Sequence, residues 1–463
     1  MMKQKNILII IAFTMFMESL DASILNTSIP VMAKSLQISP LDLKLALICY
    51  LICLAIFVPI SGWIADKFGA KKIFLIAIFL FTVSSIACGF SKSIGALIFA
   101  RTFQGIGASF LVPIGRLIIL KSAERRDFPY LMNHVIMFAS TGLMLGPLLG
   151  GMISAHFHWS WIFWVNGPIG CLLLIASFYH LPHMQRHRVH RLDIVGFILF
   201  GLGLAGFVFA LTLFSELDID IHLGYWLLIG STLLLVIYSI RAKKQSHPIV
   251  KTSLLNYRLF AISFVCNALS RMIFGAIPFL LPLLFQVCFN YSPIQSGLLV
   301  APIALGIFCS KLIQEKITKT LGFKHLLIIN TCLSSMMLYL FSRFNLDTPL
   351  WLIASATGIY GIIISFQYSS LNALAYHDVP DSHLSAATSI ISTMYQVSQS
   401  IGVAVAAIFL RSYNVSAHLL TLASFDKTFH ILSGCSLLSI FILLKLNKDD
   451  GSSYLQAPVE KTN

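Results

Sequence analysis

Residues 7–30 constrain the fold of this chain more than any other part of its sequence. The segment reads ILIIIAFTMFMESLDASILNTSIP and is almost entirely apolar, yet it contains the two acids Glu18 and Asp21. A helix of about 20 mostly apolar residues is long enough to cross a lipid bilayer. We therefore expect a first membrane-spanning helix that carries two carboxyl groups at membrane depth.

Glu18 and Asp21 are three residues apart, so they lie on the same face of such a helix. An ionised side chain within a membrane costs at least about 2.5–3.5 kcal/mol, which makes a functional role the default interpretation. Two neighbouring carboxylates also resist being ionised together. A carboxyl that takes up and releases a proton is what a proton-coupled protein requires. The alternative is that these acids only neutralise buried arginines.

The composition indicates a polytopic helical membrane protein. The chain is 57% hydrophobic and only 11% charged, whereas soluble proteins are about 25% charged. A net charge of +14 would suggest nucleic-acid binding in a soluble chain, but here the basic residues collect in alternate loops between apolar segments. None of the nine cysteines forms a CxxC pair, so we expect neither a disulfide framework nor a metal, and no cofactor.

The apolar segments predict an all-α fold with about 14 transmembrane helices. They lie near residues 7–29, 43–63, 73–90, 95–117, 132–154, 161–181, 194–214, 224–240, 260–285, 295–313, 325–342, 350–372, 386–410 and 428–446. An even number of spans places both termini on one side. Most lysines and arginines fall in the loops on that side, so we predict an inner-membrane protein with both termini in the cytoplasm.

A weak internal repeat predicts two six-helix halves. GWIADKFGAKK (62–72) is echoed by KITKTLGFKH (316–325), where Gly69 aligns with Gly322 and Lys71 with Lys324 at an offset of 253 residues. Repeated halves around a midplane site are a recurring transporter architecture. We predict a first bundle over 1–181, two inserted helices with basic linkers over 182–258, a second bundle over 259–446 and a polar cytoplasmic tail over 447–463.

Five motifs in chain order resemble the major facilitator superfamily, specifically its 14-helix drug:proton antiporter branch of the EmrB/QacA type. They are LDASILNTSIP (20–30), GWIADKFGAKK (62–72), LIFARTFQGIGAS (97–109), GLMLGPLLGG (142–151) and HWSWIFWVNGPIG (158–170). The resemblance implies that Asp21 is the protonatable residue and that Arg101 is a buried arginine of the fourth helix. It also implies export of amphipathic organic compounds or drugs by alternating access, with small-molecule substrates, protons and the lipid bilayer as partners, and no nucleic acid. A periplasmic adaptor remains undetermined.

Several polar residues within the spans are candidates for coupling and binding. Arg101 is always charged, so its burial requires a partner, which Asp21 or Glu18 would supply. Arg271, which the offset of 253 places opposite Glu18, is either a third member of this group or a site for an anionic substrate group. Candidates for the substrate cavity, which ordinary polar contacts between helices would explain equally well, are Arg271, Asn267, Gln104, Gln367, Tyr368, Gln396 and Gln399.

Two further groups suggest gating and packing. Asp66, with Gly69 and Lys71, lies at a helix junction, where Asp66 either pairs with a helix end or a basic side chain such as Arg126, or belongs to a solvated turn. The small residues of the fifth span allow close helix approach, and we interpret them as a packing and hinge surface between the halves. They are Gly142, Gly146, Pro147, Gly150 and Gly151.

Other functions remain as alternatives. A proton-coupled metabolite transporter, either importer or exporter, fits the same sequence features. A membrane-embedded enzyme that acts on lipid is less well supported, because the chain has no HExxH or GxSxG motif. No phosphate-binding G-x-x-x-x-G-K-[ST] motif occurs either, so the sequence does not predict ATP-driven transport. We therefore predict a transporter rather than an enzyme.

Overall fold

The computed structural model of the chain describes residues 2–122, 128–182, 190–214, 221–246, 248–380, 383–413, 420–447 and 450–451. All regular secondary structure within these residues is helical, and fourteen helices are long and apolar enough to cross a membrane. The predicted all-α fold with 14 spans is confirmed. Most of the predicted tail over 447–463 lies outside the described residues.

The membrane-spanning helices are numbered α1 to α14. Their bounds are α1 Met2–Leu36, α2 Lys44–Phe68, α3 Ala70–Gly89, α4 Ile94–Ser122, α5 Phe128–His156, α6 Trp161–Trp164 with Asn166–His180, α7 Ile194–Leu213, α8 Ile221–Lys244, α9 Arg258–Leu283 with the π-helical turn Leu284–Cys288, α10 Pro293–Val300 with 302–321, α11 323–342, α12 Leu350–His377, α13 Leu384–Ser412 and α14 Leu422–Leu443. The chain changes direction between α10 and α11 at Gly322.

Two turns of the same kind separate α2 from α3 and α10 from α11. Gly69 (φ 95°) and Gly322 (φ 68°) adopt the positive φ that glycine accepts without steric cost. Beyond each turn a lysine satisfies carbonyls at the end of a distant helix, where helix ends favour cations. The Lys71 Nζ donates to the Phe178 and Leu181 carbonyls beside α6, at 2.7 Å each, and the Lys324 Nζ donates to the Leu444 carbonyl beside α14 at 3.1 Å. The predicted pseudo-repeat is confirmed.

We call α1–α6 the first half and α9–α14 the second half. The inserted α7 packs against α2 and α13 and so touches both halves, whereas α8 packs mainly on α7 and exposes apolar side chains such as Trp226. Asp193 caps α7 by accepting from the Gly196 N–H at 2.9 Å, and it pairs with Arg241 of α8 at 3.0 Å. The exact boundaries between these parts stay a prediction.

The two halves share an extensive apolar core on one side of the membrane. We call the side on which α1 begins the N-terminal side. On the opposite side, Ile29 of α1, Leu281 of α9 and Leu410 of α13 belong to a single buried cluster. On the N-terminal side, Phe74 of the first half and Phe323 of the second belong to separate clusters. A smaller cluster still joins Ala55 of α2 to Phe260 and Ile390 of the second half.

Polar contacts also join the halves on the opposite side. The Gln286 Nε2 donates to the Thr27 carbonyl at 2.8 Å, and Arg411 at the end of α13 pairs with Asp42, just before α2, at 2.9 Å. The structure is therefore closed on the side opposite the N-terminus.

Candidate functional site

The site is centred on a buried ion pair between α1 and α4. The Arg101 NH1 lies 2.7 Å from the Asp21 Oδ2, and the two side chains are 1% and 0% exposed. The membrane-depth carboxylate and the membrane-depth arginine that the sequence predicted therefore neutralise each other. Because an uncompensated charge in this environment is costly, each residue depends on the other.

Three amide and hydroxyl side chains complete the network around Asp21. The Asp21 Oδ1 accepts from the Gln104 Nε2 at 2.8 Å and from the Asn166 Nδ2 at 2.9 Å. The Gln104 Oε1 accepts from the Arg101 NH1 at 2.8 Å, and the Asn166 Nδ2 also donates to the Ser85 Oγ at 3.0 Å. Side chains from α1, α3, α4 and α6 thus meet around one carboxylate, and all five are buried.

Glu18 does not share this ion pair. It accepts a hydrogen bond from the Tyr50 hydroxyl at 3.4 Å, and the ring of Tyr50 lies 4.2 Å from the Arg101 guanidinium carbon. Tyr50 therefore separates Glu18 from Arg101 while contacting both. Glu18 is only half-buried, and Arg116 lies near enough for its charge to act on it. Of the two acids, Asp21 is the partner of Arg101.

The helix that carries Asp21 is attached to α5 by hydroxyl groups. The Ser23 Oγ donates to the Gly142 carbonyl at 3.4 Å, the Thr27 Oγ1 to the Pro147 carbonyl at 3.2 Å and the Ser28 Oγ to the Gly150 carbonyl at 3.3 Å. Contacts of this kind require the two backbones to approach closely, which small residues permit. The position of Asp21 is thus fixed relative to α5.

The glycines of α5 face two different neighbours, which corrects the expected surface between the halves. A Cβ at Gly142, Gly146 or Gly150 would collide with α1 of the same half, at Phe16, Ser23 and Ile24 respectively. Only Gly151 meets the second half, where a Cβ would lie 2.3 Å from the Pro293 carbonyl. Pro147 serves both contacts, because its carbonyl also lies against Gly297 of α10. The expectation was wrong for the first three glycines because helix period alone does not reveal which neighbour a small face meets.

Arg271 lies in the second half, and no acidic residue among those described is its partner. Its guanidinium carbon is 3.8 Å from the ring centroids of both Tyr368 of α12 and Tyr395 of α13. The ion pairs of the described residues do not include it. Arg271 is therefore not a third member of the Asp21 network.

The other expected cavity residues are divided between packing and open positions. Gln104 belongs to the Asp21 network instead. The Asn267 Nδ2 donates to the Asn372 Oδ1 at 3.2 Å. The Gln367 Nε2 donates to the Thr331 Oγ1 at 3.3 Å beside a small cavity within the second half. Gln396 and Gln399 are half-buried, and their side chains form no hydrogen bond to the described residues.

Asp66 forms a contact within the first half. Its Oδ1 lies 3.3 Å from the Lys121 Nζ at the end of α4, and both side chains are about one-third exposed. The suggested partner Arg126 lies outside the described residues. Lys71, which the sequence placed beside Asp66, binds the end of α6 instead.

Sequence reasoning missed Asn166, Ser85 and Tyr50. Asn166 begins the second segment of α6, directly after the interruption at Val165, and it lies within the motif HWSWIFWVNGPIG. A polar residue at a helix break inside an apolar span was the available signal. Ser85 and Tyr50 carried none, because single serines and tyrosines are common in apolar helices.

Comparison with known proteins identifies the family of the chain. The family model of the Major Facilitator Superfamily matches residues 11–403 and also 263–454. The chain belongs to the major facilitator superfamily. The resemblance seen in the motifs is thereby confirmed, and the overlap of the two matches in the second half suits a chain built from repeats.

Relatives at about one-third identity cover most of this superfamily member. It is 34% identical over 450 residues to "Probable transport protein HsrA" of Haemophilus influenzae, which spans 96% of this chain and 97% of the relative. It is 33% identical over 405 residues to "Putative multidrug resistance protein MdtD" of Pectobacterium carotovorum, across 88% of this chain and 87% of the relative.

Solved structures share the fold at low identity. The crystal structure of the peptide transporter POT in complex with sulfate matches with a TM-score of 0.71 and 16% identity, over 95% of this chain and 94% of that one. The nucleoside transporter NupG matches with a TM-score of 0.62 and 14% identity, over 96% and 100%. The protein is therefore a multi-pass membrane transporter of this superfamily, not an enzyme.

Proposed function

We propose that this transporter exports amphipathic organic compounds, including drugs, in exchange for protons. The observation that carries the proposal is the buried Asp21 carboxylate, held by Arg101, Gln104 and Asn166 at 2.7–2.9 Å. A carboxyl group at membrane depth, whose cation and amide partners come from other helices, is suited to bind a proton when those helices move apart. The relative named as a multidrug resistance protein supports the class of substrate.

Protonation of Asp21 removes the charge that compensates Arg101. The guanidinium stays charged and then keeps only neutral partners, namely the Gln104 Oε1, the Ala46 carbonyl at 3.5 Å and the Tyr50 ring. The attraction between α1 and α4 falls as a result. A change of charge at one buried group is thus converted into a change in helix packing.

The hydroxyl contacts give this change a route to the other half. Because Ser23, Thr27 and Ser28 attach α1 to α5, the two helices move together. At its far end α5 packs on α10 through Gly151 and Gly297. Release of α1 from α4 therefore acts on the contact that closes the transporter on the side opposite the N-terminus.

The described conformation is one end of the proposed alternating-access cycle. The opposite side is closed by the shared core, the Arg411–Asp42 pair and the Gln286–Thr27 contact. Among the described residues of the N-terminal side, the halves share only the smaller cluster around Ala55, and Phe74 and Phe323 belong to separate clusters. The excess of lysine and arginine in the loops of the N-terminal side supports a cytoplasmic position for that side in the inner membrane. In this state the substrate enters from the cytoplasm.

The experiment uses everted membrane vesicles that contain the full-length protein and are acidified by respiration. Dansyl compounds that end in an amine, a carboxylate or a neutral amide are added, and loss of the pH gradient is followed with a fluorescent weak base. We expect at least one compound to dissipate the gradient. In the Asp21→Asn protein, the rate of this dissipation should be at least 100-fold lower. An Asp21→Asn protein that matches the wild type would overturn proton coupling through this residue.

Asp193→Asn is the matched control. Asp193 is also buried and paired with an arginine, but it caps α7 outside the two halves. Asparagine caps helices as well as aspartate does, so activity is expected to remain near that of the wild type. Accumulation of the same compounds in everted vesicles requires export, whereas accumulation in right-side-out vesicles would identify an importer instead.

A further inference from the structure

We propose that Arg271 is the binding site for the carboxylate of an amphipathic aromatic monoanion. The proposal rests on the proposed function, since it names the class of compound that the transporter carries. It concerns the second half of the protein, where no described carboxylate pairs with Arg271. Four observations support it. No described carboxylate lies near Arg271, its guanidinium contacts two tyrosine rings, the residue is only half-buried, and its surroundings are aromatic.

The first observation is that Arg271 lacks the partner that Arg101 has. Arg101 has Asp21 at 2.7 Å, whereas no described carboxylate lies within 4 Å of Arg271. The Arg271 Nε is buried and has no hydrogen-bond partner among the described residues. A guanidinium cannot lose its charge in a protein, and a charge at membrane depth requires compensation. An anion from outside the chain would supply it.

The second observation is that the guanidinium is held in place. The Tyr368 and Tyr395 rings both lie 3.8 Å from its central carbon, which is within the range of cation–π attraction. Both rings are themselves fixed, because the Tyr368 hydroxyl donates to the Ser270 carbonyl and the Tyr395 hydroxyl to the Asn372 Oδ1. A preorganised cation loses little conformational entropy when it binds a ligand.

The third observation is that Arg271 is only half-buried. An arginine that faced lipid would be strongly unfavourable, so its exposed surface faces the interior space between helices. Glu18, at the corresponding position of the first half, is half-buried as well. Arg271 is therefore accessible to a substrate that enters between the halves, while Arg101, at 1% exposure, is not.

The geometry selects a planar, singly charged ligand group. The two tyrosine rings lie against the guanidinium and its Nε is buried. The two terminal nitrogens carry N–H groups that can bind a carboxylate in a bidentate manner. One cation balances one negative charge, so a doubly charged phosphate would keep an uncompensated charge. Phe274, one turn along α9, packs edge to face on Tyr368 with ring centroids 5.6 Å apart. This aromatic wall beside the cation suits an aromatic carboxylate.

The test measures equilibrium binding to the purified full-length protein in lipid nanodiscs by fluorescence titration. The probes are dansyl-glycine and dansyl-glycinamide, which differ only in carboxylate against carboxamide. We expect the carboxylate to bind at least 10-fold more tightly than the amide. Arg271→Gln should remove this difference and leave the affinity for the amide unchanged, whereas Arg271→Lys should retain part of it because the charge remains.

Arg343→Gln is the matched control, since Arg343 also lies over a tyrosine, with 4.9 Å between its guanidinium carbon and the Tyr339 ring, but is located just beyond α11. It should discriminate between the probes as the wild type does. Equal binding of both probes by the wild type, retained discrimination in Arg271→Gln, or no binding of either probe would overturn the proposal. No pH gradient is present, so a failure of proton coupling through Asp21 leaves this result unaffected and remains distinguishable.

Discussion

The two halves of this transporter share a backbone plan but place their charges differently. The offset of 253 residues shows which residues of the second half replace the polar network of the first. Phe274 stands in place of Asp21, Leu338 of Ser85, Ala354 of Arg101 and Thr357 of Gln104. The backbone contacts persist, since the Arg101 Nε donates to the Ala46 carbonyl and the Thr357 Oγ1 to the corresponding Leu299 carbonyl. Of the two halves, only the first has a buried ion pair among its described residues.

Where the first half has Glu18, the second has Arg271. The comparison teaches that repeated architecture does not require repeated chemistry. Helix packing depends on the size and periodicity of side chains, which both halves share. The proposed proton binding depends on a few side chains that, among the described residues, only the first half has. We infer a division of labour in which the first half binds the proton and the second binds the anionic group of the substrate.

The largest expected effect comes from removing only one partner of the Asp21–Arg101 ion pair. Arg101→Gln leaves the Asp21 carboxylate buried without its cation, and loss of one partner of a buried pair costs about 3–5 kcal/mol. The double variant Asp21→Asn with Arg101→Gln removes both charges, and the corresponding positions of the second half are also uncharged. It should lose much less stability than the single variant. Thermal unfolding of the purified variants measures the difference. Equal losses in the single and double variants would show that the buried charge is not what matters.

A smaller effect is expected from giving the second half the acid that it lacks. Phe274→Asp places a carboxylate at the position that corresponds to Asp21, three residues from Arg271 and on the same helix face. The new acid competes for the guanidinium, so dansyl-glycine should bind about 10-fold more weakly, which corresponds to about 1.4 kcal/mol. Phe274→Leu, which removes only the ring, is the control. Tighter binding of dansyl-glycine by the aspartate variant would contradict this assignment.

The smallest effect concerns the contacts that both halves share. Lys71→Met removes two hydrogen bonds to helix-end carbonyls, whereas Lys324→Met removes one longer bond. We expect a loss of about 1 kcal/mol for Lys71→Met and less for Lys324→Met, because both groups are partly exposed. Lys72→Met, at the exposed neighbouring position, should be neutral in the same unfolding assay. A greater loss for Lys324→Met would reverse the proposed ranking.

The spans, the repeat and the acid–arginine pair were predictable, because each follows from local sequence. Apolar runs of membrane length report helices directly, and an always-charged arginine within such a run requires an anion. The sequence left open which acid pairs with Arg101, since Glu18 and Asp21 share a helix face. The difference lies in Tyr50, which fills the space next to Glu18 and contacts Arg101 with its ring.

The sequence by itself determined the membrane-spanning architecture, the turns at Gly69 and Gly322 and the presence of charged residues at membrane depth. Only the tertiary structure decided that Asn166 completes the Asp21 network, that three glycines of α5 face α1 rather than the second half, and that Arg271 has two tyrosines instead of an acid. The physical reason is the distance along the chain over which each property is determined. Hydrophobicity and backbone conformation depend on neighbouring residues, whereas the partner of a buried polar group depends on which distant helices pack together.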